Sequence, residues 1–256
     1  MGKEILDFHN HIGTQKAATY EEEGEGRMRE FGRSTKGLQV YMEKYGIGEA
    51  VVFPLPMLSH KQKEANEEVM KLVESKSELI PFVYLDPRLD ESPDLLEEYV
   101  NRGCKGLKLH PVCHGYVISH GMCSPTLEVA NSLEIPVLIH TGWGEYGEIR
   151  FIKELAKNFK HLKIVIGHLI EHQDIFVMIP ELENVSVDTS YATHPRRIAQ
   201  AVNKLGPDRV IFGSDMPLTH PGFELYKVME APISDDNKEK VLWGNGQRLL
   251  KRKTRT

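Results

Sequence analysis

The sequence predicts an α/β fold in which eight parallel strands close into a barrel inside a ring of helices, the (β/α)8 or TIM-barrel fold. Short β-branched runs alternate with longer amphipathic segments, and this alternation occurs eight times. Parallel neighbours require crossover helices, so the alternation implies a parallel sheet. The length of 256 residues is close to the roughly 250 residues typical of one such barrel. We therefore expect a single domain spanning residues 1–256.

An open, doubly wound sheet is the competing arrangement. Such a sheet usually has a glycine-rich turn after its first strand, whereas the first strand here ends in Asp7-Phe8-His9-Asn10-His11. This difference favours the closed barrel. The predicted strands are Ile5–His9, Ala50–Phe53, Leu79–Tyr84, Cys104–Leu109, Ile135–His140, Lys163–Gly167, Asn184–Asp188 and Arg209–Gly213.

The helical segments between these strands carry recognisable start signals. Ser92-Pro93 and Ser124-Pro125 each place a hydroxyl before a proline, which predicts a serine cap followed by proline at the first helical position. The last helix contains two glycines near its middle, which predicts a break near Gly244–Gly246. The predicted helices include Asp94–Asn101, Thr126–Leu133, Glu148–Phe159, Pro195–Leu205 and Asp235–Leu250.

Residues 13–36 do not fit the strand–helix pattern. This stretch is polar, contains glycines, and carries Arg27, Arg29 and Arg33. It follows the first strand, on the barrel face where active sites form. Long loops in compact domains are usually either functional or disordered. The sequence leaves a lid-like insertion and a plain exposed loop equally open.

Composition excludes several classes of function. The formal net charge of −5 argues against nucleic acid as the main partner. No apolar run is long enough to span a membrane, and no signal peptide precedes the first strand. The three cysteines form no CxxC pair, so neither a disulfide framework nor a zinc knuckle is expected. We expect a cytoplasmic protein that acts on a small molecule, and homo-oligomerisation stays open.

Ionisable side chains stand at the ends of several predicted strands. Strand side chains alternate between faces, so Asp7, His9 and His11 should point into the barrel while Leu6 and Phe8 face the helices. The other strand ends carry further inward-facing groups. These are Lys108, His110, His140, His168 and Asp215.

Any one of these histidines could be an ordinary hydrogen-bonded residue. Several ionisable groups in one cavity are costly unless a cation or substrate compensates them. Imidazoles and a carboxylate suit zinc and its neighbours in the first transition row. The cluster as a whole therefore predicts a divalent metal site at the carboxyl ends of the strands.

The motifs at these strand ends resemble those of the amidohydrolase superfamily. The most similar subgroup is the amidohydrolase-2 group of small TIM-barrel metal-dependent hydrolases, which also contains decarboxylases such as aminocarboxymuconate semialdehyde decarboxylase. The resemblance covers roughly the whole chain and is weakest at 13–36. It is carried by residues 7–11, 106–111, 136–142, 167–168, 187–190, 212–217 and 238–250.

The resemblance implies a role for each matching position. His9, His11, His140 and Asp215 would bind the metal, and His168 would be a second ligand or a catalytic acid/base. In two-metal members a carboxylated lysine from strand 4 bridges the ions, and Lys108 lies on that strand. We expect one divalent ion, zinc, and a second ion only if Lys108 is carboxylated.

The residues leave more than one activity open. Water bound to Zn²⁺ has a pKa of about 7, so Asp215 could accept its proton in the hydrolysis of an amide, lactone or ester. The alternative is decarboxylation of a small unsaturated or aromatic acid, which would use the same ligands and a basic anchor such as the arginines of 13–36. A third hypothesis is a non-enzymatic metal-holding scaffold or sensor.

Residues outside the proposed ligand set receive weaker assignments. Lys108, His110 and Tyr191 are the candidate substrate contacts. Asp188 could orient a ligand histidine or could simply cap a turn.

Overall fold

The computed structural model describes residues 4–13, 34–170 and 174–251. Its strands are all parallel to their neighbours. The third strand is interrupted at Phe82, whose N–H donates to Val52 O, while the N–H of Val83 donates to Gly106 O. The strands are β1 Leu6–Ile12, β2 Glu49–Pro54, β3 Leu79–Pro81 with Val83–Tyr84, β4 Leu107–Leu109, β5 Pro136–His140, β6 Lys163–Gly167, β7 Val185–Asp188 and β8 Val210–Ile211.

Backbone hydrogen bonds close the sheet on itself. Each strand from β1 to β8 lies next to the one that follows it in the chain, and the last strand returns to the first: the N–H of Phe8 donates to Phe212 O at 2.9 Å. Further along, the N–H of Asp215 donates to His9 O at 2.8 Å, and the N–H of His11 donates to Met216 O at 2.7 Å. The chain after β8 therefore pairs with β1, and the predicted eight-stranded barrel is confirmed.

Helices connect the strands and surround the barrel. The short helices Pro111–His114 and Ile175–Met178 and several 3₁₀ turns lie in the connections. None of the helices in the described ranges is long and apolar enough to cross a membrane. The longer helices are α1 Thr35–Tyr45, α2 Gln62–Val73, α3 Ser92–Asn101, α4 Ser124–Ser132, α5 Ile149–Asn158, α6 Pro195–Leu205, α7 Pro221–Met229 and α8, which runs through Asp235–Glu239, the π turn Lys240–Gly244 and Asn245–Leu249.

Two local predictions about helices were wrong. Ser92 and Ser124 lie inside the first turns of α3 and α4, after Glu91 and Cys123, and neither helix has a side-chain cap. Ser92 instead donates its hydroxyl to Asp86 O at 2.6 Å. The predicted break in the last helix is a π turn that keeps α8 continuous.

The predicted loop 13–36 is described only at its two ends. Helix α1 begins at Thr35, and Ser34 Oγ caps it by accepting a hydrogen bond from the N–H of Gly37 at 3.0 Å. The last two residues of the predicted loop, Thr35 and Lys36, are therefore helical. The remainder, including Arg27, Arg29 and Arg33, lies outside the described residues.

The barrel has two apolar layers, one between strands and helices and one inside the sheet. Gly246 of α8 lies against Leu6 and Phe8, and Trp243, Leu249 and Leu250 also pack on the inner layer. Helix α8 thus covers the barrel end at which β1 begins, opposite the carboxyl ends of the strands. The inner layer consists of Leu6, Phe8, Val51, Phe53, Ile80, Phe82, Leu138, Val165 and Ile211.

A bulge in β1 overturns part of the predicted alternation. Asp7 pairs with Ala50 and Asn10 with Val52, so β1 carries one extra residue over this interval. Leu6 and Phe8 therefore point into the barrel rather than toward the helices. Asp7, expected beside the histidines, instead accepts a hydrogen bond at Oδ1 from the N–H of Ser214 at 2.8 Å. The extra residue lets one strand supply apolar packing first and inward-facing histidines afterwards.

Candidate metal centre

The inward-facing histidines of β1 are buried and held by acceptors at Nδ1. His9 Nδ1 lies 2.6 Å from Asp188 Oδ2, and His11 Nδ1 lies 2.8 Å from Pro54 O. A carboxylate and a carbonyl can only accept, so both Nδ1 atoms carry the proton. The Nε2 lone pairs of His9 and His11 are consequently directed away from these acceptors and toward the barrel mouth.

Asp215 meets both lone pairs with one oxygen. Its Oδ1 lies 3.0 Å from His9 Nε2 and 3.2 Å from His11 Nε2. This buried oxygen has no geometrically satisfactory hydrogen bond within the described part of the chain. Three acceptor atoms, His9 Nε2, His11 Nε2 and Asp215 Oδ1, therefore converge in one place, an arrangement that a cation would stabilise.

Local backbone geometry explains the position of Asp215. The residue adopts a left-handed conformation with φ 57°, which is uncommon outside glycine, asparagine and aspartate. The preceding Gly213 passes close to the site: an added Cβ there would lie 3.0 Å from His9 Cβ and 3.2 Å from Asp188 Cβ. A side chain at residue 213 would therefore push against two members of the cluster.

His168 enters the site because its backbone departs from strand geometry. Ile164 and Ile166 belong to the layer facing the helices, so strict alternation would turn His168 outward as well. Its φ of 84° turns the side chain inward instead. Its Nδ1 lies 2.8 Å from Ser190 Oγ, and its ring stacks on His9 with centroids 5.0 Å apart.

A chain of hydrogen bonds fixes the tautomers of His168 and His140. Ser190 Oγ donates to Asp188 Oδ1 at 2.6 Å, so it accepts from the protonated Nδ1 of His168. His168 Nε2 is then a lone pair, 3.0 Å from His140 Nδ1. His140 Nδ1 must donate to it, which leaves His140 Nε2 as a lone pair. Burial holds the pKa of both imidazoles well below the ordinary value, so both are neutral and suited to binding a metal.

Among the described residues, His9, His168 and Asp215 form a group whose ligand atoms all lie within 4.8 Å of one another. His11 adjoins this group through Asp215, and His140 adjoins it through His168. The structure thus brings the four residues predicted as ligands, and His168, into one cluster, in which His140 is half-buried and the others are buried. Two imidazoles, those of His140 and His168, are candidates for the third nitrogen ligand.

Asp188 supports this cluster from behind. Besides His9 Nδ1, it accepts hydrogen bonds at Oδ1 from the N–H groups of His168 and Ser190, both at 3.0 Å. The sequence left open whether Asp188 orients a histidine or caps a turn, and in the structure it does both.

Lys108 brings a buried amine to the same place. Its Nζ lies 3.1 Å from His9 Nε2 and 4.9 Å from the centre of the Phe53 ring. Burial lowers the pKa of Lys108 to about 8, although Asp215 and Asp188 oppose the shift. The sequence predicted Lys108 as a substrate contact, and the structure puts its amine next to His9 Nε2, one of the candidate metal-binding atoms.

Aromatic rings border the cluster on the outer side. His110 stacks on His140 with centroids 3.7 Å apart, and its Nδ1 accepts from the N–H of Cys113 at 3.0 Å. Tyr191 meets His168 edge-on at 5.0 Å. The predicted substrate contacts His110 and Tyr191 therefore both touch imidazoles of the site.

Trp143 is a site residue that the sequence reasoning missed. Its indole lies 5.1 Å from His168 and 4.8 Å from Tyr191, both edge-on, and it is 47% exposed among buried neighbours. It also lines a cavity of about 240 Å³ that none of the metal-binding side chains lines. The signal for Trp143 was present as a lone tryptophan between Gly142 and Gly144, directly after β5.

Comparison with known proteins places these observations in context. A family model described as Amidohydrolase matches residues 6–252, nearly the whole chain. Among curated proteins, no sequence matches the chain.

Solved structures match over almost the full length. A 5-carboxyvanillate decarboxylase from Novosphingobium aromaticivorans, complexed with manganese and 4-hydroxy-3-methoxy-5-nitrobenzoic acid, has a TM-score of 0.81 at 13% identity, covering 98% of this chain and 96% of that one. A dihydroxybenzoic acid decarboxylase from a Polaromonas species, with bound manganese and 2-nitroresorcinol, gives 0.78 at 16%, covering 97% of each chain. A proposed 2-pyrone-4,6-dicarboxylic acid hydrolase from Pseudomonas putida gives 0.75 at 14%, covering 100% of each. At these identities the likeness supports the fold.

Proposed function

The chain belongs to the amidohydrolase family, and from that premise we propose that it is a metal-dependent decarboxylase of a small unsaturated or aromatic carboxylic acid. The observation that carries this proposal is the position of Lys108, whose buried Nζ lies 3.1 Å from His9 Nε2. A cation among the metal-binding atoms suits a substrate whose reacting group is itself an anion. A neutral amide or ester would offer this cation no charged group of the substrate to bind.

The proposed metal ligands are His9, His11, His140 and Asp215, with one divalent ion. The tautomers support this set, because each of the three imidazoles has a lone pair at Nε2. His168 competes with His140 for the third position, and in the other arrangement it acts as a proton carrier. Imidazole and carboxylate donors suit both zinc and manganese, and two of the matched decarboxylases contain manganese.

Each residue of the site has a separate role in the proposed decarboxylation. When bound, the metal would supply a positive charge that holds and polarises the substrate carboxylate. Lys108 would hold the same carboxylate, while Trp143 and Tyr191 would border the rest of the substrate. Loss of CO2 breaks one C–C bond and leaves an electron pair on carbon, which must accept one proton. That proton would come from solvent water, and Asp215 or His168 would relay it to the carbon.

Hydrolysis is the second candidate function. The family description and the hydrolase from P. putida favour it, and the same ligands could activate water. In that reaction Asp215 would take the proton of the attacking water and return it to the leaving group. The two candidates differ in their products: decarboxylation releases CO2, and hydrolysis adds the atoms of water.

The test is an incubation of protein loaded with manganese or zinc against a panel of hydroxybenzoic acids and unsaturated diacids, together with amides and lactones of the same acids, in ¹⁸O-labelled water. We expect CO2 release and a decarboxylated product without a new ¹⁸O atom. Lys108→Met should keep bound metal but raise KM for acids by tenfold or more, since the loss of a charge-assisted contact costs about 1.5–3 kcal/mol. A product that carries ¹⁸O, formed without CO2, would replace decarboxylation with hydrolysis.

A further inference from the structure

We propose that Arg197 and Lys227 are positioning residues, buried cations of two outer helices that hold the turns presenting His168 and Tyr191. The inference rests on the proposed roles of His168 and Tyr191 at the site. Both cations lie outside the barrel, on α6 and α7, and neither contacts the metal-binding atoms. Each donates instead to a backbone carbonyl close to one of the two aromatic side chains.

Arg197 holds the turn after β6. Its guanidinium donates to Ile170 O at 2.9 Å and lies over the Phe176 ring at 4.2 Å. Ile170 follows two residues after His168, whose φ of 84° brings its side chain into the site. Positive φ in a bulky residue persists only where the surrounding structure enforces it. The bond from Arg197 is a tether at the end of this turn.

Lys227 holds the turn after β7 in the same way. Its Nζ donates to Ala192 O at 2.6 Å and pairs with Glu224 Oε2 at 2.7 Å. Lys227 and Glu224 are each only 2% exposed. Ala192 directly follows Tyr191, which also has a left-handed backbone, with φ 56°. The hydrogen bond to Ala192 O offsets part of the cost of burying this pair, and it fixes the carbonyl next to Tyr191.

The two turns form one unit. The N–H of Leu169, next to His168, donates to Ser190 O at 2.8 Å, next to Tyr191. The rings of His168 and Tyr191 then meet edge-on at 5.0 Å, with Trp143 against both. A shift of either turn must therefore move this three-ring corner at the mouth of the site.

The experiment compares Arg197→Met and the double variant Glu224→Gln/Lys227→Met with the matched control Arg209→Met. The double variant avoids leaving an unpaired buried carboxylate. Arg209 likewise donates to backbone carbonyls, including Val185 O at 2.7 Å, but Val185 begins β7 at the opposite end of the barrel. The readouts are kcat, KM, thermal stability and the Trp143 emission spectrum, obtained as the difference from the same variant carrying Trp143→Phe.

We expect all three variants to lose thermal stability, and only the first two to change Trp143 emission. Their kcat should fall by about tenfold or more, toward the roughly 100-fold that a 1 Å misplacement costs, while Arg209→Met keeps kcat within about twofold. Lys227→Arg retains a donor for Ala192 and should restore both emission and kcat. Where the double variant does not fold, Glu224→Gln/Lys227→Gln gives the same comparison, because the shorter amide at residue 227 does not reach Ala192 O.

Unchanged Trp143 emission and kcat in the α6 and α7 variants would overturn the proposal, as would equal changes in Arg209→Met. The emission readout needs no turnover. If the proposed decarboxylation fails on every acid, a change in emission still supports the positioning role, so the two failures are distinguishable.

Discussion

Replacing Asp188 by asparagine should weaken metal binding without a direct change to any proposed ligand. Asp188 Oδ1 receives three hydrogen bonds, from the N–H groups of His168 and Ser190 and from Ser190 Oγ. In Asp188→Asn those three donors hold the single amide oxygen in place, so the NH2 group must face His9 Nδ1. Two donors cannot bond to one another, and His9 avoids the conflict by moving its proton to Nε2. Its metal-facing lone pair is then lost.

The expected loss of metal affinity follows from the hydrogen bond between Asp188 and His9. Mutating the partner of a metal-bound histidine typically costs 10–100-fold in metal affinity, or about 1.4–2.7 kcal/mol. The upper part of that range is expected, because the variant not only removes an acceptor at 2.6 Å but also reverses the tautomer. Competition with a metal-binding dye, read for both zinc and manganese, measures the change.

The matched control for this prediction is Asp86→Asn. Asp86 is also fully buried, and its carboxylate accepts from Ser59 at 2.6 Å and from Arg88 at 2.8 Å, but it does not contact the metal-binding atoms. We expect this control to lose stability and keep its metal affinity. If Asp188→Asn binds metal within about twofold of the native chain, the tautomer argument is wrong, and the hydrogen bond from His9 is only structural.

Three further outcomes are expected. Asp215→Asn should abolish turnover and lower metal affinity by more than tenfold, because it removes a negative ligand between His9 and His11; full activity on the true substrate would exclude the proposed role. Gly213→Ala should also weaken metal binding, since the added methyl would lie 3.0 Å from His9 Cβ. A metal affinity equal to that of the native chain in dye competition would show that His9 can move aside without loss of binding. Burial raises the pKa of Glu224 to about 7 from an ordinary 4.5, so the folded chain keeps a proton that the unfolded chain loses in this window. The free energy of unfolding should therefore fall as pH rises from about 4.5 to about 7, by at most about 1.4 kcal/mol per unit. Glu224→Gln should flatten that slope in urea titrations, and an unchanged slope would assign it to another group.

Regular periodicity explains why the fold was predictable from sequence. Each strand repeats with its helix, and local patterns are enough to place most strands within one or two residues of their observed bounds. The clustering of the proposed metal ligands was also predictable, because these residues lie at or near the carboxyl ends of strands. Asp188 and His9 are 179 residues apart in the chain, so only the folded barrel could show that one fixes the tautomer of the other.

The errors arose where one residue departs from ideal geometry. Leu6 to His9 alternates between apolar and polar residues in sequence. The bulge depends on how β1 pairs with β2, which the sequence of β1 alone does not reveal. His168 faces inward as predicted, but it does so through a positive φ and not through the alternation of strand side chains. Trp143 escaped notice because a single exposed aromatic residue in a loop has no periodicity to mark it.

The bulge in β1 has a practical meaning for anyone who would move this centre to another scaffold. If the strand were copied as a regular His-x-His strand without the bulge, its imidazoles could point inward only if Leu6 and Phe8 pointed outward. The inner apolar layer of the recipient barrel would then lose these two side chains. Deleting one residue from the native strand would likewise turn either the two apolar side chains or the two histidines away from the barrel interior. Grafts should therefore transfer the irregular segment whole, together with the partner strand that accommodates it.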